Sequence, residues 1–533
     1  MKKTILVVGL TALLVSLVFV SCGPKQEGKA AAAPAEEAEF IIGNGAEPES
    51  LDPHLVSGVP EHRIMMGIYE GLVVPDPEKA TAQPGVAESW TISEDGTEYT
   101  FTIRSDAQWS DGEPITAQQV YDSWIRVLAP DLAAPYAWFP SMFIKGAAEF
   151  NAGEAGPESV AMRVIDDKTF QFETVGPLPY TLDALAHYSF AIVPTHAIEK
   201  FDSVWTLPKN HVGNGPYLLS EWSPQQRIVL TPNPNYWNAG KVKLDRVVFL
   251  PVDDNTTAHN MYLNGEMDWS TDVPAGQIEA AQLRDDFQVS PYLGTYYYVF
   301  NNGREPLNDP RVRKALSMAF DRDLLVSTVT KAGELPAYSI VADMTGYPAI
   351  DGLGDDYDTA RQLLADAGFP GGKGFPALSI LYNTHESHKA IAEFIQEQWR
   401  ENLGINVTLE NQEWATYLAS RRAHTFDIAR AGWIGDYQDP NTFLDMFVTG
   451  GAMNGGQYSN SEYDRLIGKA ARMAAGPDRF ETLRQAEKIF IEEDMGIMPI
   501  YFYVNKDMID LDKWDGWYAN IMGWHPVGDI AES

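Results

Sequence analysis

The residues best suited to chemistry crowd into one stretch, Phe426 to Phe443, reading FDIARAGWIGDYQDPNTF. Arg430, Trp433 and Asp436 would set a cation, an aromatic wall and an anion around one turn, a set able to hold a single ligand; a solvated surface loop is the alternative. Asp439, before Pro440, reads as a turn residue. A second cluster, His385-Glu386-Ser387-His388, lacks the i, i+4 spacing of HExxH and any obvious third ligand, so no metal site is expected there. The chain contains no GxSxG, HExxH or Walker A sequence, and no cofactor or catalytic residue is expected. A secreted peptidase whose groups converge only in the fold remains an alternative.

Several elements must position that stretch. Phe426, Ile428 and Ala429 predict a short buried strand, after which Gly432, Gly435 and Asp439-Pro440 predict an irregular loop. Upstream, Ile391, Phe394, Ile395 and Leu403 predict a helix ending at Gly404, and Ile405, Val407 and Leu409 a strand, which together deliver Glu410 to Trp414 to the same place. Nearer the start, Trp90, Ile92, Tyr99, Phe101 and Ile103 alternate around Glu94-Asp95-Gly96 as a hairpin. Thr116 and Gln119 form a capping box ahead of Val120, Trp124, Val127 and Leu128. Asp309 as N-cap with Pro310 opens a helix carrying Val312, Leu316, Ala319 and Phe320. The mixture is α/β or α+β, without a solenoid repeat.

Lys2-Lys3 and the apolar run Ile5 to Val20 predict a secretory signal, 1–21, too short for a spanning helix. Cys22, the single cysteine, resembles the lipidation site of bacterial lipoproteins, with Phe19 where leucine is usual. Residues 22–39, rich in Ala, Glu, Lys and Pro, predict a flexible tether. The remaining length exceeds what one core usually serves, so two or three domains are expected. A net charge of −35, or −37 once Lys2 and Lys3 leave, argues against nucleic acid as a partner. The chain is thus expected to be exported, periplasmic or at the cell surface, and held to a membrane only through its lipid.

AESWTISEDGTEYTFTIR with AQWSDGEPITAQQV, VGNGPYLLSEW with NPNYW, GTYYYVFNN with DPRVRKALSMAFDR, and ENQEW with ARAGWIGDY resemble, in order and along essentially the whole mature chain, the bacterial oligopeptide-binding proteins. These belong to the dipeptide, oligopeptide and nickel group of ABC-importer substrate-binding proteins. The resemblance implies an α/β, type II periplasmic-binding-protein fold of cluster C. Its first lobe would take 40–69, 190–287 and 504–533, an inserted domain 70–189, and a second lobe 288–503.

It also implies roles for matching residues. Val59 and the segment Ala431, Gly432 and Trp433 would meet the backbone of an extended peptide, and Asp436 its α-ammonium. Arg421 and Arg430 would meet the peptide carboxylate, with His388 serving longer ligands. Arg422 and His424 add charge that could relocate this recognition. Trp414 and Trp433, with Tyr136 and one or more of Tyr296, Tyr297 and Tyr298, would wall side-chain pockets, although three consecutive strand aromatics cannot all face one side. The implied partners are short peptides and an ABC permease, with the binder monomeric. A dipeptide, nickel, haem or sugar ligand, or a peptide-sensing surface lipoprotein, are the alternatives.

Overall fold

The computed structural model describes residues 38–533; the expected signal peptide, Cys22 and nearly all of the tether lie outside them. Strand β1 (Glu39–Gly43) opens at the last residue of the span expected to be tether. Helix α1 (Val59–Ile68) follows Gly58, with Pro60 in its first turn, where a missing N–H costs no bond.

A four-stranded antiparallel sheet then forms from β2 (Ala87–Ile92), β3 (Glu98–Ile103), β4 (Met162–Asp166) and β5 (Thr169–Glu173), in the order β2-β3-β5-β4. The expected hairpin joins its first two strands, Trp90 facing Phe101 and Gly96 at φ +75° in the turn. Helix α2 (Ala117–Leu128) packs on this sheet. Its capping box is reciprocal: the Gln119 amide donates to the Thr116 hydroxyl and the Thr116 amide to the Gln119 side chain. The buried stripe read from the sequence is the observed one, Trp124 standing edge-on to Phe170 and Phe172.

The main sheet has eleven strands. In chain order its further members are β6 (Tyr217–Ser223), β7 (Arg227–Pro232), β8 (Arg246–Leu250), β9 (Trp269–Ser270), β10 (Phe287–Phe300), the short pair Leu335–Pro336, β11 (Leu378–Asn383), β12 (Val407–Gln412), β13 (Ile428–Ile434) and β14 (Ile497–Ile509). The order is β12-β11-β13-β10-β14-β9-β1-β8-β7-β6, with Leu335–Pro336 beside β14. Two long strands, β10 and β14, run antiparallel from Phe287 opposite Met508 to Val299 opposite Ile497, with irregular register between Pro291 and Thr295. Strand β13 joins β10 at Gly294–Phe300, whereas β9 joins β14 at Met508 and Ile509. The two halves of the sheet therefore hang on opposite ends of one pair of strands.

Helix α3 (Pro310–Met318) begins as read, Asp309 accepting from the Arg311 amide, but ends before Ala319 and Phe320, which are buried just beyond it. Helix α4 (Glu386–Leu403) stops at Gly404, whose φ of +70° is the left-handed cap that glycine adopts without strain. Helix α5 (Trp414–Arg422) is capped by Glu413.

The stretch Phe426 to Phe443 departs from expectation. Strand β13 continues through Arg430, Ala431, Gly432 and Trp433, and the irregular segment starts only at Gly435. Gly432 acts here as the residue that fits, not as a chain breaker. It sits opposite Tyr296, and a Cβ on it would run into the Tyr503 hydroxyl and ring. A methyl there is expected to cost about 1–3 kcal/mol by overpacking. The thermal midpoint of Gly432→Ala should fall, and by less when Tyr503→Phe removes the blocking oxygen.

Candidate functional site

A cavity of about 390 Å³ lies above β10 and β14. One wall comes from Gly43–Met66, Asn255–Asp272 and Gly523–His525, the other from Asn383–His388, Trp414 and Arg430–Asp436, with Tyr136, His187 and Tyr188 at one end. Its size falls within the range of small-ligand sites.

Strand β13 supplies the chemistry. Strand β11 pairs with it only at Ile428 and Ala429, so from Arg430 to Ile434 its outer edge has no partner strand among the described residues. Such an edge offers backbone donors and acceptors to an extended chain. Immediately beyond stands Asp436, 7% exposed and lining the cavity. Its Oδ1 is 3.6 Å from His187 Nε2, while Oδ2 has no hydrogen-bond partner among the described residues. Burial, and then the nearby Asp445, push this carboxyl well above the usual range. Asp445 is itself raised to about 8, chiefly by burial. An incoming cation would reverse the cost of holding Asp436 ionised.

Arg430 lines the same cavity half-buried. It donates to the Tyr503 hydroxyl at 2.9 Å and to Asn383 at 3.3 Å, and its guanidinium lies 5.0 Å from the Tyr296 ring centre. The expected helper His388 lines it too. His388 is buried, stacked 4.5 Å from His385, with the Tyr296 hydroxyl 3.4 Å from Nδ1. Val59, Tyr136, Trp414, Gly432 and Trp433 also line the cavity.

Arg421, Tyr297 and Ala431 do not line it. Tyr297 and Ala431 are register partners and share the opposite face of the sheet, where Tyr297 meets Phe447. Tyr296 and Tyr298 are fully buried. Arg422 is already used: it donates to both Glu49 oxygens at 3.2 and 3.0 Å and to the Ser57 hydroxyl at 2.9 Å, tying the two walls together. On the opposite flank His385 Nε2 lies 3.3 Å from Asp272, and the Thr256 hydroxyl donates to Glu386. Asp439 is more than a turn residue. It receives two hydrogen bonds from Arg479, at 2.7 and 2.9 Å, in a buried pair.

Sequence reading missed Arg63, Asp272, Lys506 and Asp507, all of which line the cavity. Lys506 is held between Asp272 at 3.3 Å and Glu334 at 3.4 Å, and Asp507 accepts from the Trp269 indole at 2.8 Å. Only Lys506-Asp507, a charged pair inside an otherwise apolar strand run, hinted at this in the sequence.

The fold and cavity define a class, and the chain belongs to it: the bacterial extracellular solute-binding proteins, family 5, whose model matches residues 81–455. The periplasmic oligopeptide-binding protein OppA of Salmonella typhimurium is 37% identical over 99% of this chain and 97% of its own length. The Haemophilus influenzae OppA complex with RPPGFSPFR matches with a TM-score of 0.89 and 32% identity, covering 93% of this chain and 99% of that one. The murein tripeptide binding protein MppA of Escherichia coli matches at 0.89 with 34% identity, covering 93% and 99%. Its unliganded open form, at the same identity and covering 93% and 98%, matches at only 0.64. The conformation described here is therefore unlike that open one.

Proposed function

We propose that this protein captures short peptides in extended form outside the cytoplasm and delivers them to an ABC importer. The observation that carries this is the free edge of β13 ending at a buried carboxylate with an unpartnered oxygen. A peptide added along that edge would have its backbone satisfied whatever its side chains, and its α-ammonium would meet Asp436. Arg430 takes the far carboxylate, with Arg421 and His388 as further candidates, and a planar fork suits that group. Trp414, Trp433, Tyr136 and Val59 wall the side chains, while Tyr297 supports the sheet from behind.

In this reading residues 40–69, 190–287 and 504–533 form one lobe, 70–189 an inserted domain and 288–503 the second lobe. The β10–β14 pair is the hinge, and the Arg422–Glu49 and His385–Asp272 contacts belong to the closed state. The protein is a monomeric binder that does no chemistry on its ligand, tethered through lipidated Cys22. Native mass spectrometry of protein purified from cells tests this: intact co-purified peptides are expected, whereas fragments at catalytic turnover, or a non-peptide ligand, would overturn it.

A pH effect follows. The buried histidines, whose values burial lowers (His62 to about 3), are neutral in the fold and about half charged in the unfolded chain at pH 6.5, a small opposing contribution from each that fades by about pH 7.5. The raised acids still titrate. A carboxyl raised in the fold stabilises it below its unfolded value and loses that contribution as pH rises through the folded one, here up to about 8 for Asp445. The thermal midpoint of the unliganded protein should therefore fall between pH 6.5 and 8. Bound peptide should shrink that fall, because its ammonium keeps Asp436 ionised at no cost.

A further inference from the structure

His187 stands beside Asp436 on an element of its own. It caps the short turn Tyr188–Phe190, is 3% exposed, and its Nδ1 receives the Ser189 amide at 3.3 Å, with the Ser189 hydroxyl at 2.9 Å. A nitrogen accepting a backbone N–H holds no proton, so the neutral ring carries its proton on Nε2, the atom 3.6 Å from Asp436 Oδ1. The ring cannot swing away. Tyr136 stacks on it at 4.7 Å, Phe139 meets it edge-on at 5.2 Å, and His62 at 5.5 Å.

We infer that His187 is a positioning residue that selects for a free peptide amino terminus: its Nε2, 3.6 Å from Asp436 Oδ1 and just beyond hydrogen-bond length, presents its N–H dipole to that oxygen and leaves Oδ2 for the ammonium. This rests on the reading that Asp436 receives the α-ammonium. The argument is one of charge. An arginine or lysine at this place would neutralise Asp436 and compete with the ligand, and an apolar side chain would leave Tyr136 as the carboxylate's remaining support and favour the protonated acid. A neutral N–H dipole supports the anion on one oxygen while leaving its full charge for the peptide. The ring stays neutral because burial, and then His62, lower its basicity well below the ordinary range. The other titratable groups around the pair are Tyr136, Tyr188, His62 and Asp445. Burial and Asp445 oppose ionisation of Asp436 and the neighbouring Tyr136 hydroxyl favours it, so the His187 N–H would add to the support that Tyr136 gives.

The test has two arms. In the unliganded wild-type protein, 15N resonances of histidine should show His187 in the Nε2–H form; the Nδ1–H form would overturn the inference. In the second arm, calorimetric affinities for trialanine and N-acetyl-trialanine are followed against pH in wild type, His187→Phe and His187→Gln. Phenylalanine keeps the stack without the N–H, whereas a glutamine amide can return a donor near the Nε2 position. Trialanine affinity should fall away at a higher pH in His187→Phe, giving about a tenfold loss within that window, with N-acetyl-trialanine unchanged and His187→Gln restoring most of the loss. Equal losses for both peptides, or an unshifted pH profile, would mean that the ring only packs. Wild type binding both peptides equally would instead remove the ammonium reading itself, and this inference with it. Because the tautomer is read in the wild-type protein, a variant that fails to fold leaves the first arm decisive.

Discussion

Asp436→Ala is expected to weaken binding of a free short peptide by more than about 2 kcal/mol, roughly thirtyfold, and to leave an N-acetylated peptide nearly untouched. The magnitude comes from the setting. Asp436 is buried at the end of an unpaired strand edge, with one oxygen unpartnered among the described residues. A peptide ammonium brought there is desolvated as well, so removing the carboxylate strands a buried positive charge, which costs far more than losing an exposed ion pair. Isothermal titration of both peptides measures it. Equal heats and affinities for free and acetylated peptide would refute the assignment. Asp436→Asn sharpens the comparison: it keeps the shape and a hydrogen-bond acceptor but not the charge, so a loss close to that of alanine would identify charge as the determinant.

Arg479→Met should lower the stability of the unliganded protein by about 3–5 kcal/mol, read as a shift in the urea midpoint of the transition that includes residues 428–493. The Arg479 side chain is fully buried, donates to both Asp439 oxygens and lies 5.2 Å from the centre of the Tyr180 ring. Methionine fills much of the space but leaves Asp439 as a buried charge without its cation. Adding Asp439→Asn should recover part of the loss, because an amide costs less to bury unpaired than a carboxylate. Equal midpoints for Arg479→Met and wild type would show that the pair contributes nothing. Asp439 lies three residues after Asp436, so the single variant should also weaken peptide binding more than its stability loss alone explains.

Local rules read several elements correctly. The capping box at Thr116, the Asp309-Pro310 start and the Gly404 stop are decided by residues within four positions of one another, and each stands where it was read. The stretch Phe426 to Phe443 differs from its local pattern for the opposite reason. Gly432 looks like a chain breaker, but its reason for being glycine is the Tyr503 ring, seventy-one positions away. Asp439 looked like a turn residue because its partner is forty positions downstream. Among the candidate site residues, the resemblance brought Val59, Trp414, Arg430, Trp433 and Asp436 to one cavity. It could not say that Arg422 is already engaged by Glu49, or that Tyr297 faces away. Those facts depend on register and on the other wall. Lys506 and Asp507 escaped notice because their neighbours come from three distant segments.

The place of β14 in the main sheet has a consequence for how the chain comes to exist. This strand follows every other member of the main sheet in chain order, yet it sits in the interior of the sheet between β10 and β9. The two halves of the sheet cannot be joined before residue 509 is available, and the ladders of β1 with β8 and β9 close across more than two hundred positions. Contacts of such long sequence separation make assembly slow. A sheet whose centre closes only on its last strand keeps the chain open for longer, which suits a member of an extracellular family.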